Sequence, residues 1–219
     1  MRFVAEAGSW LASFVFPRVC AGCGRMADRG AELCGRCFAS ASATPSHPTA
    51  PPGIDSVACG PLVGDAARAL VHGLKYEGHR RAAFDLVRLA APSIPNDFCP
   101  VGCVLVPVPV HPHRRRERGY NQSALLARHW SRILSREVRE DFLVRRTDTR
   151  TQTKLDADKR RENLAGAFSV GKGFRKDVPV VLVDDVLTTG STLSACASAL
   201  LAAGCPEVRA ICVLWAGEA

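Results

Sequence analysis

Apolar runs at residues 104–106 and 178–183 read as buried strands, the second buried on both faces in the ordinary state of a parallel strand, and residues 208–214, apolar but for Arg209, read as the last strand. Pro179 stands at the start of the second run, where a missing ladder donor is tolerated. After Gly190 the period changes to that of a helix. Leu193, Cys196, Ala197, Leu200 and Leu201 fall on one face, and Gly204 with Pro206 stops the element. Leu70, Val71 and Leu74 predict a helix over 66–73, broken at Gly78, and a second helix resumes over 82–91. Leu125, Leu126, His129, Trp130 and Ile133 predict another, opened by Asn121 or Gly119. Residues 56–60 and 61–64 suggest a hairpin, and 142–147 and 165–170 suggest short strands. Strands alternating with helices in this way predict an α/β domain built on a mostly parallel sheet with helices on both faces.

The first third of the chain follows other rules. Residues 1–16 are moderately apolar with an early Glu6, and they lack the long apolar core and small-residue cleavage site of a signal peptide. They read as an amphipathic helix docked through Phe3, Trp10, Leu11 and Phe14. Cys20, Cys23, Cys34 and Cys37 form two Cys-x-x-Cys knuckles close together, a spacing that places four thiolates around one zinc. Gly22, Gly24 and Gly35 let the backbone curl so that amides reach the sulfurs. Residues 39–53 are small and Pro-rich and include a solvated His47, so they cannot bury a core. The expected organisation is a helix and four-cysteine zinc module over 1–38, a linker over 39–53, and the α/β domain over 54–216. Six further cysteines (Cys59, Cys99, Cys103, Cys196, Cys205 and Cys212) are scattered, several on apolar faces. That pattern suits buried free thiols in a reducing cytoplasm. No apolar run approaches the length of a membrane span, and the expected location is cytoplasmic.

The chemistry concentrates where the second apolar run ends. Asp184 and Asp185 close the strand, and Thr188-Thr189-Gly190-Ser191-Thr192 leads into the helix. The carboxyl end of a strand is where open α/β sheets bind ligands. Gly190 permits successive amides to turn inward as an anion nest, the helix amino terminus adds partial positive charge, and four hydroxyls add donors. A phosphate suits this loop. Adjacent carboxylates repel phosphate, but they accept hydrogen bonds from the vicinal hydroxyls of a ribose whose 5′-phosphate lies in the nest. The stretch resembles the phosphoribosyl-pyrophosphate (PRPP) loop of type I phosphoribosyltransferases at every position of that motif. A plain capped αβ turn is the bland alternative, and a response-regulator acid pocket has no use for the Thr-Thr-Gly-Ser-Thr turn. A P-loop ATPase fails because Gly173 replaces the magnesium-holding Ser or Thr after Gly171-Lys172, and the segment leads to a strand rather than a helix.

Charge adds a second theme. Lys and Arg number 29 against 21 Asp and Glu, a formal charge of +8, which suits anionic partners such as phosphorylated metabolites or nucleic acid. Val-Pro107-Val-Pro109 leads into a turn carrying Arg114, Arg115, Arg116 and Arg118 beside a helix amino terminus, a place suited to pyrophosphate. Nucleic-acid contact is the rival reading and a solvated charge run the bland one. His111 and His113 lack a third metal ligand nearby. The polar, basic segment 148–162 suits a mobile lid over a charged substrate.

Taken in order, the cysteine knuckles, Leu-Lys75-Tyr76-x-Gly78, Val-Pro-Val-Pro with Arg-x-Arg-x-Arg118-Gly-Tyr-Asn121-Gln122, the Arg146-Thr…Gln152…Leu155…Arg161-x-Asn163 segment and the Asp-Asp loop resemble the ComF family of bacterial competence-associated proteins. The resemblance runs from about Phe3 to Leu214, with Arg115 standing where an apolar residue is common. It implies a type I phosphoribosyltransferase fold with a small hood, preceded by a zinc finger, and a link to single-stranded DNA in transformation and to competence proteins. The implied activity is transfer of a phosphoribosyl group from magnesium-bound PRPP with release of pyrophosphate. Asp184 and Asp185 would hold the ribose hydroxyls; Val186 and Leu187 lead into Thr188, Thr189, Gly190, Ser191 and Thr192, which would hold the 5′-phosphate. Arg114, Arg116 and Arg118 would meet the leaving group, with Lys75 in the same PRPP-binding set. The acceptor and the oligomeric state stay open, and so does the choice between an enzyme and a PRPP-sensing or DNA-binding accessory protein. Weak, sequence-independent binding of single strands would use residues 114–118 and 159–161, with Arg25 and Arg36 as further contacts.

Overall fold

The computed structural model describes residues 19–42, 47–146 and 166–217. The expected amino-terminal helix, the lid segment and its basic residues 159–161 lie outside them. Four strands form one parallel sheet: β1 (Ser56–Cys59), β2 (Val104–Pro107), β5 (Val180–Leu187) and β6 (Val208–Trp215), in the order β1-β6-β5-β2. A separate antiparallel pair, β3 (Leu143–Arg145) with β4 (Phe168–Val170), forms the small hood. The helices are α1 (Gly35–Ala41), α2 (Asp65–Tyr76), α3 (Ala82–Ala90), α4 (Pro112–Arg118), α5 (Gln122–Leu134) and α6 (Ser191–Ala202).

The two-residue period of the strands sorts the core into two layers. Val181, Val183, Ile211 and Val213 pack with α2, α3 and α5 through Leu70, Leu74, Leu86, Leu126 and Trp130. Val180, Leu182, Ala210 and Cys212 pack on the opposite face with α6 and the hood through Leu193, Cys196, Leu200, Phe142 and Phe168. The central strands are therefore apolar on both sides, as their continuous runs predict. Cys59, Cys103, Cys196, Cys205 and Cys212 are buried and form no disulfide, and Cys99 is half-buried.

Three local expectations are corrected, and of the two residues expected to open a helix one is selected. Residues 56–64 form no hairpin. β1 pairs in parallel with β6, and after Gly60 the chain stays on the same partner, with Leu62 bridging Trp215 in parallel. Gly60 makes this possible, since a Cβ there would sit 2.1 Å from the Val213 carbonyl oxygen. Apolar alternation looks the same in a hairpin and in two stretches along one long neighbour, so the partner decides. The arginine stretch is a helix rather than a turn: Pro112 occupies its first turn, where proline's missing N–H costs nothing, and Gly119 ends it at φ 78°. Asn121 caps the next helix, its side-chain oxygen accepting from the Ser123 amide at 3.0 Å. Finally, Leu201 and Ile133 lie at the edges of their helical stripes and are 41% and 53% exposed.

The cysteine module is tied to the sheet domain by a buried carboxylate. Asp85, fully buried on α3, accepts hydrogen bonds from the amides of Glu32 at 2.7 Å and Leu33 at 3.2 Å. Leu33 inserts into the α2–α3–α5 layer, and the Arg88 guanidinium lies 4.5 Å from the centre of the Phe38 ring. Asp85→Ala leaves two buried amides without an acceptor, so it should cost about 2–4 kcal/mol. Chemical denaturation of the metal-loaded protein measures this, and a loss below about 0.5 kcal/mol would show that the carboxylate does not fix the module.

Candidate functional site

β5 does not stop at the acids. It runs on through Leu187, with Asp184 opposite Cys212 and Leu187 opposite Trp215. Alternation therefore turns Asp184 and Asp185 to different sides of the strand. Asp185 faces the α2 layer, only 4% exposed, and its Oδ1 accepts from Lys75 Nζ at 2.8 Å. Its Oδ2 is buried with no hydrogen-bond partner among the described residues, an acceptor left for a donor the chain does not supply. Asp184 is half-buried; its Oδ1 accepts from Ser123 Oγ and from the Asp185 amide, both at 2.9 Å.

The electrostatics follow from that crowding. Burial, and next the charge of Asp185, raise the Asp184 carboxyl to about 7, against the opposing pull of Lys75, the Asp185 amide and the Ser123 hydroxyl. Burial opposes the charge on Lys75, yet the Asp185 carboxylate, with Asp184 behind it, holds its pKa above the ordinary lysine value. Asp184 is thus poised between its neutral and charged forms near neutral pH.

Beyond the strand, Thr188 and Thr189 are exposed and Gly190 caps α6 at φ 72°. A Cβ on Gly190 would lie 2.4 Å from Pro51 Cγ, so the end of the Pro-rich stretch packs directly beneath this loop. The hydroxyls of Thr189 and Ser191 are 2.8 Å apart, Thr189 Oγ1 accepts from the Ser191 amide at 3.4 Å, and Gly190 at the cap position adds no side-chain acceptor of its own. Exposed hydroxyls beside the first amides of a helix are together suited to an anion.

The arginines separate by helical period. Arg114 and Arg118, four residues apart, line a cavity of about 510 Å³ with Lys75, Tyr76, Gly78 and Glu117. Arg115 and Arg116 line another of about 630 Å³, between the Pro107–Pro109 loop, Asn121 and the hood residues Leu143, Val144 and Arg145. Arg114, Arg116 and Arg118 therefore do not share one cavity. Arg25 and Arg36 are exposed on the cysteine module and line neither.

Ser123 and Tyr120 were not singled out by the sequence. Tyr120 Oη donates to the Leu74 carbonyl, which fixes the end of α2 just before Lys75. Nothing in the local sequence announces either contact, because each joins residues more than forty positions apart; only the Asn121 cap hints that residue 123 is positioned.

At the other end of the chain, the thiols of Cys20, Cys23, Cys34 and Cys37 all lie within 4.8 Å of one another. Cys23 Sγ and Cys34 Sγ are 3.8 Å apart, close to the edge of roughly 3.8 Å that a tetrahedron of sulfurs 2.3 Å from zinc requires. The Cys34 amide donates to Cys20 Sγ at 3.3 Å. Although burial opposes it, the amides of Cys34, Gly22 and Cys23 lower the Cys20 thiol to about 6. Burial and the neighbouring sulfurs push Cys37 up to about 12. One thiolate forms readily and the last resists, a spread that a bound cation removes. The four cysteines fit a metal such as zinc.

Residues 122–219 match the phosphoribosyl transferase domain family, which defines the class of the sheet domain. DNA utilization protein YhgH of Escherichia coli is 32% identical over 210 residues, covering 89% of each chain. Competence protein F of Haemophilus influenzae is 40% identical over 108 residues, 48% of this chain and 47% of that protein. Competence protein ComFC of Bacillus subtilis is 34% identical over 103 residues, 46% of this chain and 39% of that one. The chain belongs to the ComF family. No described helix is long and apolar enough to cross a membrane.

The raised Asp184 carboxyl sets a pH dependence. Its pKa rises from 3.8 to about 7 on folding, so between those values the folded state binds the extra proton and stability falls as pH rises. Asp184→Asn, which cannot ionise, should stabilise the ligand-free protein by on the order of 2 kcal/mol at pH 8 and by little at pH 4. Denaturation curves at both pH values check this, and an equal effect at the two would rule out the burial of charge as its cause.

Proposed function

We propose that the protein binds PRPP and transfers its phosphoribosyl group to an acceptor, releasing pyrophosphate, as part of DNA handling in the reducing cytoplasm. The observation that carries the reading is the strand end. Two carboxylates, one with a buried oxygen that meets no hydrogen-bond donor among the described residues, stand a few residues before a helix amino terminus rich in hydroxyls. In this reading Asp184 and Asp185 accept from the ribose hydroxyls, Val186 and Leu187 hold the loop on the sheet, and Thr188, Thr189, Gly190, Ser191 and Thr192 surround the 5′-phosphate. Lys75, Arg114 and Arg118 face the pyrophosphate from one cavity, and Arg116 adds positive field from the other. Magnesium, held mainly by the substrate's phosphates rather than by a protein cage, offsets their charge. Catalysis is then positioning plus stabilisation of the charge that leaves with pyrophosphate as the ribose ring becomes cationic.

The DNA context is supported by the names of the relatives, a DNA utilization protein and competence proteins. Single-stranded DNA and competence proteins are the partners this suggests, and the exposed Arg25 and Arg36 of the cysteine module are available to a polyanion. A binding-only, PRPP-sensing role is the second reading. It is favoured by Lys75 already occupying Asp185 Oδ1, an arrangement that neutralises the site without turnover. The thiolate set of Cys20, Cys23, Cys34 and Cys37 is read as a structural zinc site.

PRPP with magnesium should raise the melting temperature of the wild type and not of Asp184→Asn/Asp185→Asn. Pyrophosphate release with pooled bases, amines and nucleic-acid fragments should exceed that of the double variant at least ~100-fold. Equal thermal shifts would remove the binding reading, whereas normal shifts without release would leave the binding-only role. Elemental analysis of protein purified without added metal should give one zinc per chain, lost in Cys20→Ser/Cys37→Ser; a metal-free wild type would refute the zinc site.

A further inference from the structure

The last side chain of α2 sits where a core residue would gain nothing. Tyr76 is 71% exposed, whereas Trp130 and Phe142 are wholly buried. Its neighbour in sequence, Lys75, reaches inward to Asp185, so Tyr76 is held at the mouth of the candidate site. The ring is oriented from two sides. His72, one turn earlier, has its ring centre 5.1 Å away at a tilt of 47°, and the Arg118 guanidinium carbon is 5.7 Å from the ring centre. Gly78 follows at φ 73°, with no atom within 4 Å of where its Cβ would be, so space beside the ring is open.

The cavity that Tyr76 borders, about 510 Å³, carries Lys75, Arg114 and Arg118 against a single acid, Glu117. Glu117 is itself 3.4 Å from His113 Nδ1. An exposed ring flanked by guanidinium, over a cationic floor, matches the chemistry of a base joined to a phosphate: a π-face to stack and an anion to neutralise. The volume is that of a small-molecule site. The lining offers no side-chain amide and no hydroxyl besides that of Tyr76, so it has little means of reading base edges.

We propose that this cavity is a nucleotide subsite, in which a base stacks on Tyr76 while its phosphate lies against Arg114 and Arg118. The inference rests on the PRPP reading in one respect only: the same cations would serve pyrophosphate, so nucleotide and pyrophosphate exclude one another. The base-bearing ligand is a free nucleotide or a unit of a single strand, with little preference among bases.

The test uses the full-length, metal-loaded protein and a ten-residue oligothymidine, compared with an abasic strand of equal length and charge. Fluorescence anisotropy at one salt concentration should show the base-bearing strand binding about tenfold tighter than the abasic one. Tyr76→Ala should reduce that ratio to near one without weakening the abasic strand, and Tyr76→Phe should preserve it. Inorganic pyrophosphate should displace the strand. Displacement by thymidine monophosphate as well supports the free nucleotide, and displacement by strands and pyrophosphate alone supports the strand. A wild type that does not distinguish the two strands, a ratio unchanged in Tyr76→Ala, or a strand that pyrophosphate cannot displace would each overturn the proposal. So would a Tyr76-dependent dimer in sedimentation with no preference for bases. The PRPP thermal shift of the same variants separates the two readings: a retained shift in Tyr76→Ala leaves the phosphoribosyl site standing whatever the strands do.

Discussion

Two carboxylates in succession at the end of a strand buried between two helical layers cannot both be left charged without a counter-ion. The arrangement of the sheet domain around them answers that constraint. Lys75 reaches from the last turn of α2 to Asp185, across 110 positions of sequence. Tyr120 holds the carbonyl beside it, and Ser123, placed by the Asn121 cap, donates to Asp184. The ends of α2, α5 and β5 are thus fastened to one another by the same few polar groups. The remaining strain is visible in Asp184, whose carboxyl is pushed toward neutral pH by burial and by its neighbour.

The cations are distributed by the same geometry. A helix rather than a turn separates Arg114 and Arg118 from Arg115 and Arg116, giving two basic cavities on either side of α4. One adjoins Lys75 and the exposed Tyr76; the other adjoins the hood. The cysteine module stands on the α3 side of this arrangement, held through Asp85 and the stacking of Arg88 on Phe38. Its four cysteines therefore keep a defined position relative to the sheet.

Several features were legible before any coordinates, each because it is local. The run at 178–183 declares a strand buried on both faces, since its apolar character carries through consecutive positions. Thr188, Thr189, Gly190, Ser191 and Thr192 announce the change from strand to helix, although the strand runs on past Asp184 and Asp185 to Leu187. The spacing of Cys20, Cys23, Cys34 and Cys37 declares a four-sulfur cluster, because knuckle geometry depends on intervals of two residues.

What the tertiary structure alone decided is non-local. Residues 56–64 carry the same alternation in a hairpin as in two stretches along β6, and only the partner strand and the close approach at Gly60 settle which. Four arginines in a row of five could face one ligand from a turn, but the helix that Pro112 begins and Gly119 ends sends them to two cavities. Asp85 reads as an ordinary helix carboxylate until the amides of Glu32 and Leu33 are brought to it. The sequence by itself determined which chemistry the strand end carries, because that chemistry is written in consecutive residues. Its counter-ion, its positioning hydroxyl and the exposed ring at its mouth were decided by packing, because each is delivered from a different element and has no signature in its own neighbourhood.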